Sequence, residues 1–137
     1  MSDKLFEEGL KVRKAVLGAE YVERSLKSAD QYALPMQELA TQAAWGLIWT
    51  RPGISRKWRS VLNIGMLVAL NMHHELKLHI ATALRNGLTK EEVVECLLQT
   101  SMYCGFPAAL AASRTAQQAF AEYDAEPKQD KKKKKKS

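Results

Sequence analysis

Residues 49–107 read WTRPGISRKWRSVLNIGMLVALNMHHELKLHIATALRNGLTKEEVVECLLQTSMYCGFP, from Trp49 to Pro107, and this stretch decides the fold. An Arg51-Pro52-Gly53 turn leads to Ser55, a cap for a helix over Arg56–Leu70 with apolar residues on nearly every side, the pattern of a central buried helix. A polar island, His73-His74-Glu75-Leu76-Lys77-Leu78-His79, opens the next helix, about His73–Arg85, and Asn86-Gly87 ends it. Thr89-Lys90-Glu91-Glu92 is a capping box: threonine and glutamate, three residues apart, satisfy each other's orphan amides. It starts a helix over Lys90–Tyr103 in which Val93, Val94, Leu97, Leu98 and Met102 are expected to face inward.

Outward from this stretch the signals stay helical. Ser2 can cap a helix carrying Leu5, Phe6, Leu10, Val16 and Leu17, stopped by Gly18. A shorter helix follows over Ala19–Ala29, and Pro35 starts a third that bears Met36, Leu39, Ala43, Trp45 and Ile48. Gly105 and Pro107 introduce a last, alanine-rich helix, Ala108–Tyr123, suited to close helix–helix approach. No segment alternates with period two. The expected class is all-α, a compact bundle of six to seven helices.

At 137 residues the chain is read as one domain over 1–126 with a tail over 127–137. The net charge of +6 resembles a nucleic-acid signal, but residues 1–126 hold 14 basic and 14 acidic side chains, which cancel. In the tail seven lysines face only Asp130, and Lys131–Lys136 are unbroken. Like charges with nothing apolar to bury do not fold, so a disordered, solvated polylysine end is expected. No aromatic residue interleaves the lysines to stack on bases, which limits nucleic-acid or lipid contact to weak tail electrostatics.

The start of the chain shows no apolar signal core, and Val61–Leu70, broken by Asn63 and Gly65, is too short to span a bilayer. Cys96 and Cys104 lie eight residues apart on one helix. That spacing rises about 12 Å, beyond disulfide reach. Reduced thiols and a cytoplasmic location without membrane contact are the expectation.

His74-Glu75 and His79 invite comparison with the zinc motif H-E-x-x-H, whose two histidines are four residues apart. Here the gaps to His79 are five from His74 and six from His73. At about 100° per residue these pairs point roughly 120–140° apart, so one unbroken helix cannot bring either pair to one ion. No metal is expected. Glu75 and His79, four apart, project only about 40° apart, so the carboxylate can orient the imidazole. A histidine held in this way serves as a general acid or base near neutral pH. The bland reading is a helix-surface pair worth a few tenths of a kcal/mol.

The order of these pieces, from Trp45-Gly46 and the RPG turn through Leu76-x-x-His79 to the Ala83-x-x-Asn86-Gly87 helix end, resembles the carboxymuconolactone decarboxylase family of the AhpD-like superfamily. The likeness runs from about Leu5 to Tyr123. It implies an all-α homo-oligomer, a trimer or hexamer, and decarboxylation of 4-carboxymuconolactone to 3-oxoadipate enol-lactone in aromatic catabolism. In that reaction the electrons left by carbon dioxide pass through the double bond into the lactone carbonyl. The substrate is its own electron sink, so no cofactor is required. The peroxidase branch of the superfamily carries Cys-x-x-Cys where this chain has His73 and Leu76, and without a dithiol its redox cycle has no basis.

On the resemblance His79 is the proton donor and Glu75 its orienting carboxylate. Arg51 and Arg59 are candidates to clamp a substrate carboxylate, because the guanidinium fork matches it bidentately. His74 and Tyr103 are further contributors, and Trp45 and Trp49 are candidate pocket walls. Singly, such aromatics are more often core residues. The chain departs from the pattern at Leu47, where the family's decarboxylases usually carry a glutamate, and at Ala81, where they tend to carry an arginine. Two other readings therefore stand beside the first: a family member acting on another small lactone or keto acid, and a non-catalytic helical oligomer that binds small carboxylates.

Overall fold

The computed structural model describes residues 3–127 as helices α1 (Asp3–Leu17), α2 (Ala19–Ser28), α3 (Leu34–Leu39), α4 (Arg56–Ala69), α5 (His73–Arg85), α6 (Lys90–Tyr103) and α7 (Phe106–Asp124), with a π-helical stretch, Ala40–Ile48, continuing α3. No strand occurs among the described residues. The Ser2 cap and the lysine run lie outside them. The helices form two compact units, one up to Ile54 and one from Ser55 onward.

In the first unit α1 packs along the π-helical stretch. Gly9 makes this possible: a Cβ there would lie 1.9 Å from the Thr41 carbonyl oxygen. Arg13, almost fully buried, donates to Thr41 Oγ1 at 2.9 Å and to Gln37 Oε1 at 2.7 Å. A buried guanidinium without such acceptors would be costly. Val12, Val16, Leu17 and Val22 are buried in this unit with Trp45 and Trp49. The helix expected after Pro35 is thus partly π-helical, and its last turn closes with the Trp49 amide on the Ala44 carbonyl. Nine residues are too few for apolar spacing to separate 3.6 residues per turn from a wider turn.

In the second unit α5 packs between α4 and α7, and α6 also contacts both α4 and α7. Four helices therefore close around one core that includes Ile64, Val68, Leu76, Ile80, Leu84, Leu88, Val93 and Leu97. Ala112, Ala116 and Ala119 present α7 to this core, so the small side chains allow the close approach read from the sequence. Ser55 accepts from the Trp58 amide, and the Thr89–Glu92 capping box forms in both directions at 3.0 and 2.9 Å. Gly87, at φ 103°, takes the left-handed conformation that ends α5.

Two expectations fail here. Helix α4 is not buried all round: Ser60, Ile64 and Val68 face the core, while Trp58, Leu62, Met66 and Leu70 are exposed. On α6 Val93 and Leu97 face inward as expected, but Val94, Leu98 and Met102 face outward. In a helix contacted along one side, only one stripe meets its neighbours, and an apolar residue on the next stripe does not reveal which side that is.

The end of α7 is fastened by charge. Glu122 pairs with Lys77 at 3.2 Å, Asp124 with Lys90 at 2.6 Å, and Glu126 with the buried Arg85, whose guanidinium also lies over Tyr123.

Candidate active site

Leu76 and Ile80 are wholly buried on α5 and set that helix's rotation about its axis. This rotation leaves Glu75 and His79 half-buried on a neighbouring stripe, and His79 Nδ1 is itself buried. Burial holds the His79 pKa below its ordinary value, and the nearby Glu75 carboxylate pulls it upward without cancelling that effect. At neutral pH the resting imidazole is therefore neutral. The Glu75 carboxylate is near enough to act on the imidazole electrostatically, but it does not produce a standing imidazolium.

Helix α4 supplies Arg59, half-buried, immediately before the fully buried Ser60. Ser60 Oγ accepts a 2.9 Å hydrogen bond from Asn86 Nδ2, so the start of α4 lies level with the end of α5. The remaining second-unit candidates are peripheral: His74 is exposed, and Tyr103 is 81% exposed at the end of α6.

In the first unit Trp45 and Trp49 are both buried and stack with centroids 4.9 Å apart at 27°. Arg51 follows them on the exposed turn, and Leu47 is exposed on the π-helical stretch.

Two polar ties were not legible as such. Asn86 reads as a helix stop, yet its side chain links α5 to α4. His73 bridges Asn71 Oδ1, at 2.8 Å from Nε2, and Thr115 Oγ1, at 3.1 Å from Nδ1. Asn71 itself has φ 59°, so this histidine secures the strained turn between α4 and α5 to α7. Both thiols are free and half-buried, and burial pushes the Cys96 pKa up. Among the described residues no three His, Cys, Asp or Glu side chains gather to hold a metal ion. No described helix is long and apolar enough to cross a membrane.

Residues 35–118, from α3 into α7, match the carboxymuconolactone decarboxylase family. The chain belongs to that family. Its similarity to curated members covers most of its length. It is 47% identical over 109 residues to the nitrosuccinic acid decarboxylase npaB of Metarhizium robertsii, an alignment covering 80% of this chain and 76% of that one. It is 38% identical over 118 residues to the 4-carboxymuconolactone decarboxylase of Acinetobacter baylyi, covering 86% and 88% respectively. The family and the all-α class expected from the sequence are both borne out, and these two members are carboxy-lyases.

Proposed function

We propose that this protein is a cofactor-independent decarboxylase of a small dicarboxylate that carries its own electron sink. The observation that carries this reading is its extensive identity to two decarboxylases whose named substrates share one pattern. In 4-carboxymuconolactone the departing carboxylate and a –CH2–COO⁻ arm share a saturated ring carbon that the ring double bond links to the lactone carbonyl. In nitrosuccinate the same two groups share a carbon bearing a nitro group. Loss of carbon dioxide leaves an electron pair that the carbonyl or nitro oxygens accept, and one proton then completes the product.

The lactone is the first substrate of this class to be assigned. The nitro acid is the second, favoured by the 47% identity and by Leu47 and Ala81 standing where the resemblance implies charged groups. Both require the same work from the protein. Arg59 holds the acetate arm by a bidentate pair. The poorly solvated surroundings of His79 favour expulsion of neutral carbon dioxide from an anion. A dianionic substrate favours the imidazolium, so His79 takes up a proton as substrate binds. It stabilises the developing oxyanion by hydrogen bonding and delivers the proton to carbon. Glu75 raises the basicity of His79 for that uptake. Assembly into a homo-oligomer and a cytoplasmic setting belong to the same proposal.

The purified enzyme should convert 4-carboxymuconolactone to the enol-lactone, followed by ultraviolet absorbance, or nitrosuccinate to 3-nitropropionate, followed by chromatography. Absence of both products would sink the reading. Replacing Cys96 and Cys104 together by alanine should leave turnover intact, with any decline following lost stability at the half-buried positions. A folded but inactive double variant would implicate a thiol.

A further inference from the structure

The four helices of the second unit follow one another in a ring, α4–α5–α7–α6, each packed chiefly on its two neighbours. Beside its core-facing stripe each helix therefore has two flanks, one for each neighbour. On α4 the core stripe is Ser60, Ile64 and Val68. Val61 and Gly65, one position further on, line a pocket with Cys96 and Thr100 of α6. At about 100° per residue Arg59 and Asn63 occupy the opposite flank, which faces α5. On α5 the core stripe includes Leu76 and Ile80, and Lys77 on the following flank reaches Glu122 of α7. By the same geometry Glu75 and His79 hold the flank turned to α4. Two stripes thus meet along the α4–α5 seam, and one carries an amide that the mechanism leaves unused. The Ser60–Asn86 bond sets the level of the two helices. Arg59 lies beside that bond, Asn63 three residues further along α4 and His79 seven residues back along α5, so the three follow in that order along the seam.

Asn63 is the only polar side chain between Val61 and Leu70, and asparagine is a poor helix former. It is half-buried, and its side-chain amide has no hydrogen-bond partner among the described residues. We infer that Asn63 Nδ2 donates a hydrogen bond to the substrate oxygen that receives the electron pair, the lactone carbonyl or a nitro oxygen. The assignment rests on the protein being a decarboxylase of the proposed class. The bond to the departing carboxylate breaks, its electron pair passes to that oxygen, carbon dioxide leaves, and His79 returns one proton to carbon. Asn63 keeps its own protons throughout. A cation in its place would also pair with the departing carboxylate and hold it back, whereas a neutral donor favours the oxyanion as it forms.

Asn63→Leu keeps the side-chain bulk and removes the donor, and helical circular dichroism should be retained. On whichever of 4-carboxymuconolactone and nitrosuccinate is turned over, kcat should fall about 100-fold while KM changes less than about threefold. The alkaline decline of kcat should stay at the wild-type pH, because Asn63 does not titrate. Calorimetry with the nitronate of 3-nitropropionate, the anion that nitrosuccinate leaves on losing carbon dioxide, gives a readout independent of turnover. His79→Ala, which cannot protonate the nitronate, should bind it at least about tenfold more tightly than the double variant His79→Ala/Asn63→Leu. Wild-type kcat in Asn63→Leu, a loss expressed in KM alone, or equal nitronate binding by the two variants would overturn the role of Asn63. Turnover by the wild type decides the reaction separately.

Discussion

Replacing His79 by alanine should lower the decarboxylation rate by at least about 100-fold, the usual loss when a positioned general acid is removed. Helical circular dichroism should be unchanged, because the α5 side chains that hold the core are Leu76, Ile80 and Leu84, not His79. Glu75→Gln gives a finer readout. The carboxylate raises the His79 pKa against the lowering by burial, so its removal lets the pKa fall further. If the bound state works with His79 protonated, activity falls as pH rises through that pKa. The alkaline decline of kcat should therefore move to lower pH in Glu75→Gln, with partial activity retained below it. A decline at unchanged or higher pH, or wild-type rates in His79→Ala, would remove the pair from the mechanism.

The second large effect is on stability. On an isolated helix Gly→Ala is favourable by about 1 kcal/mol. At Gly9 the sign should reverse, because the added Cβ would lie 1.9 Å from the Thr41 carbonyl oxygen and 2.9 Å from its carbon. Both atoms are backbone and cannot swing aside. Separating α1 from the π-helical stretch should also disturb the buried bond from Arg13 to Thr41. Overpacking typically costs 1–3 kcal/mol, and here the clash is with rigid neighbours, so Gly9→Ala should destabilise by about 2 kcal/mol or more. Thermal unfolding followed by circular dichroism should show a clear fall in Tm. An unchanged or raised Tm would mean that α1 does not pack as closely as described.

The features legible in the sequence were those with a local cause. The Ser55 cap, the Thr89–Glu92 box and the stop at Gly87 depend on residues within one turn of each other, and each appears where the spacing placed it. The common side of Glu75 and His79 likewise follows from a separation of four on one helix. Apart from the close approach signalled by the alanines of α7, contacts between helices were not legible. That Val94 and Leu98 face outward while Val93 and Leu97 face inward depends on where α4 and α7 lie, which α6 alone does not encode. Asn86 carries a short-range signal as a helix stop, and this hides its bond to Ser60, 26 residues away. The His73–Thr115 tie, across 42 residues, is hidden in the same way by the neighbouring His74-Glu75. Of the candidate site, then, the closeness of Glu75 to His79 on α5 was readable, while the neutral resting state of the histidine emerged only from burial.

The central claim, that a dicarboxylate serving as its own electron sink loses carbon dioxide and then takes up one proton on carbon, is tested most directly by turnover in D2O. Purified protein is given 4-carboxymuconolactone and nitrosuccinate separately, and released carbon dioxide and deuterium incorporation are measured together. One carbon dioxide per substrate consumed is expected from at least one of them, with one deuterium on the carbon next to the lactone carbonyl of the enol-lactone, or on the nitro-bearing carbon of 3-nitropropionate. Both signals should vanish in His79→Ala. Carbon dioxide from neither substrate, or release that persists at the wild-type rate in His79→Ala, would contradict it.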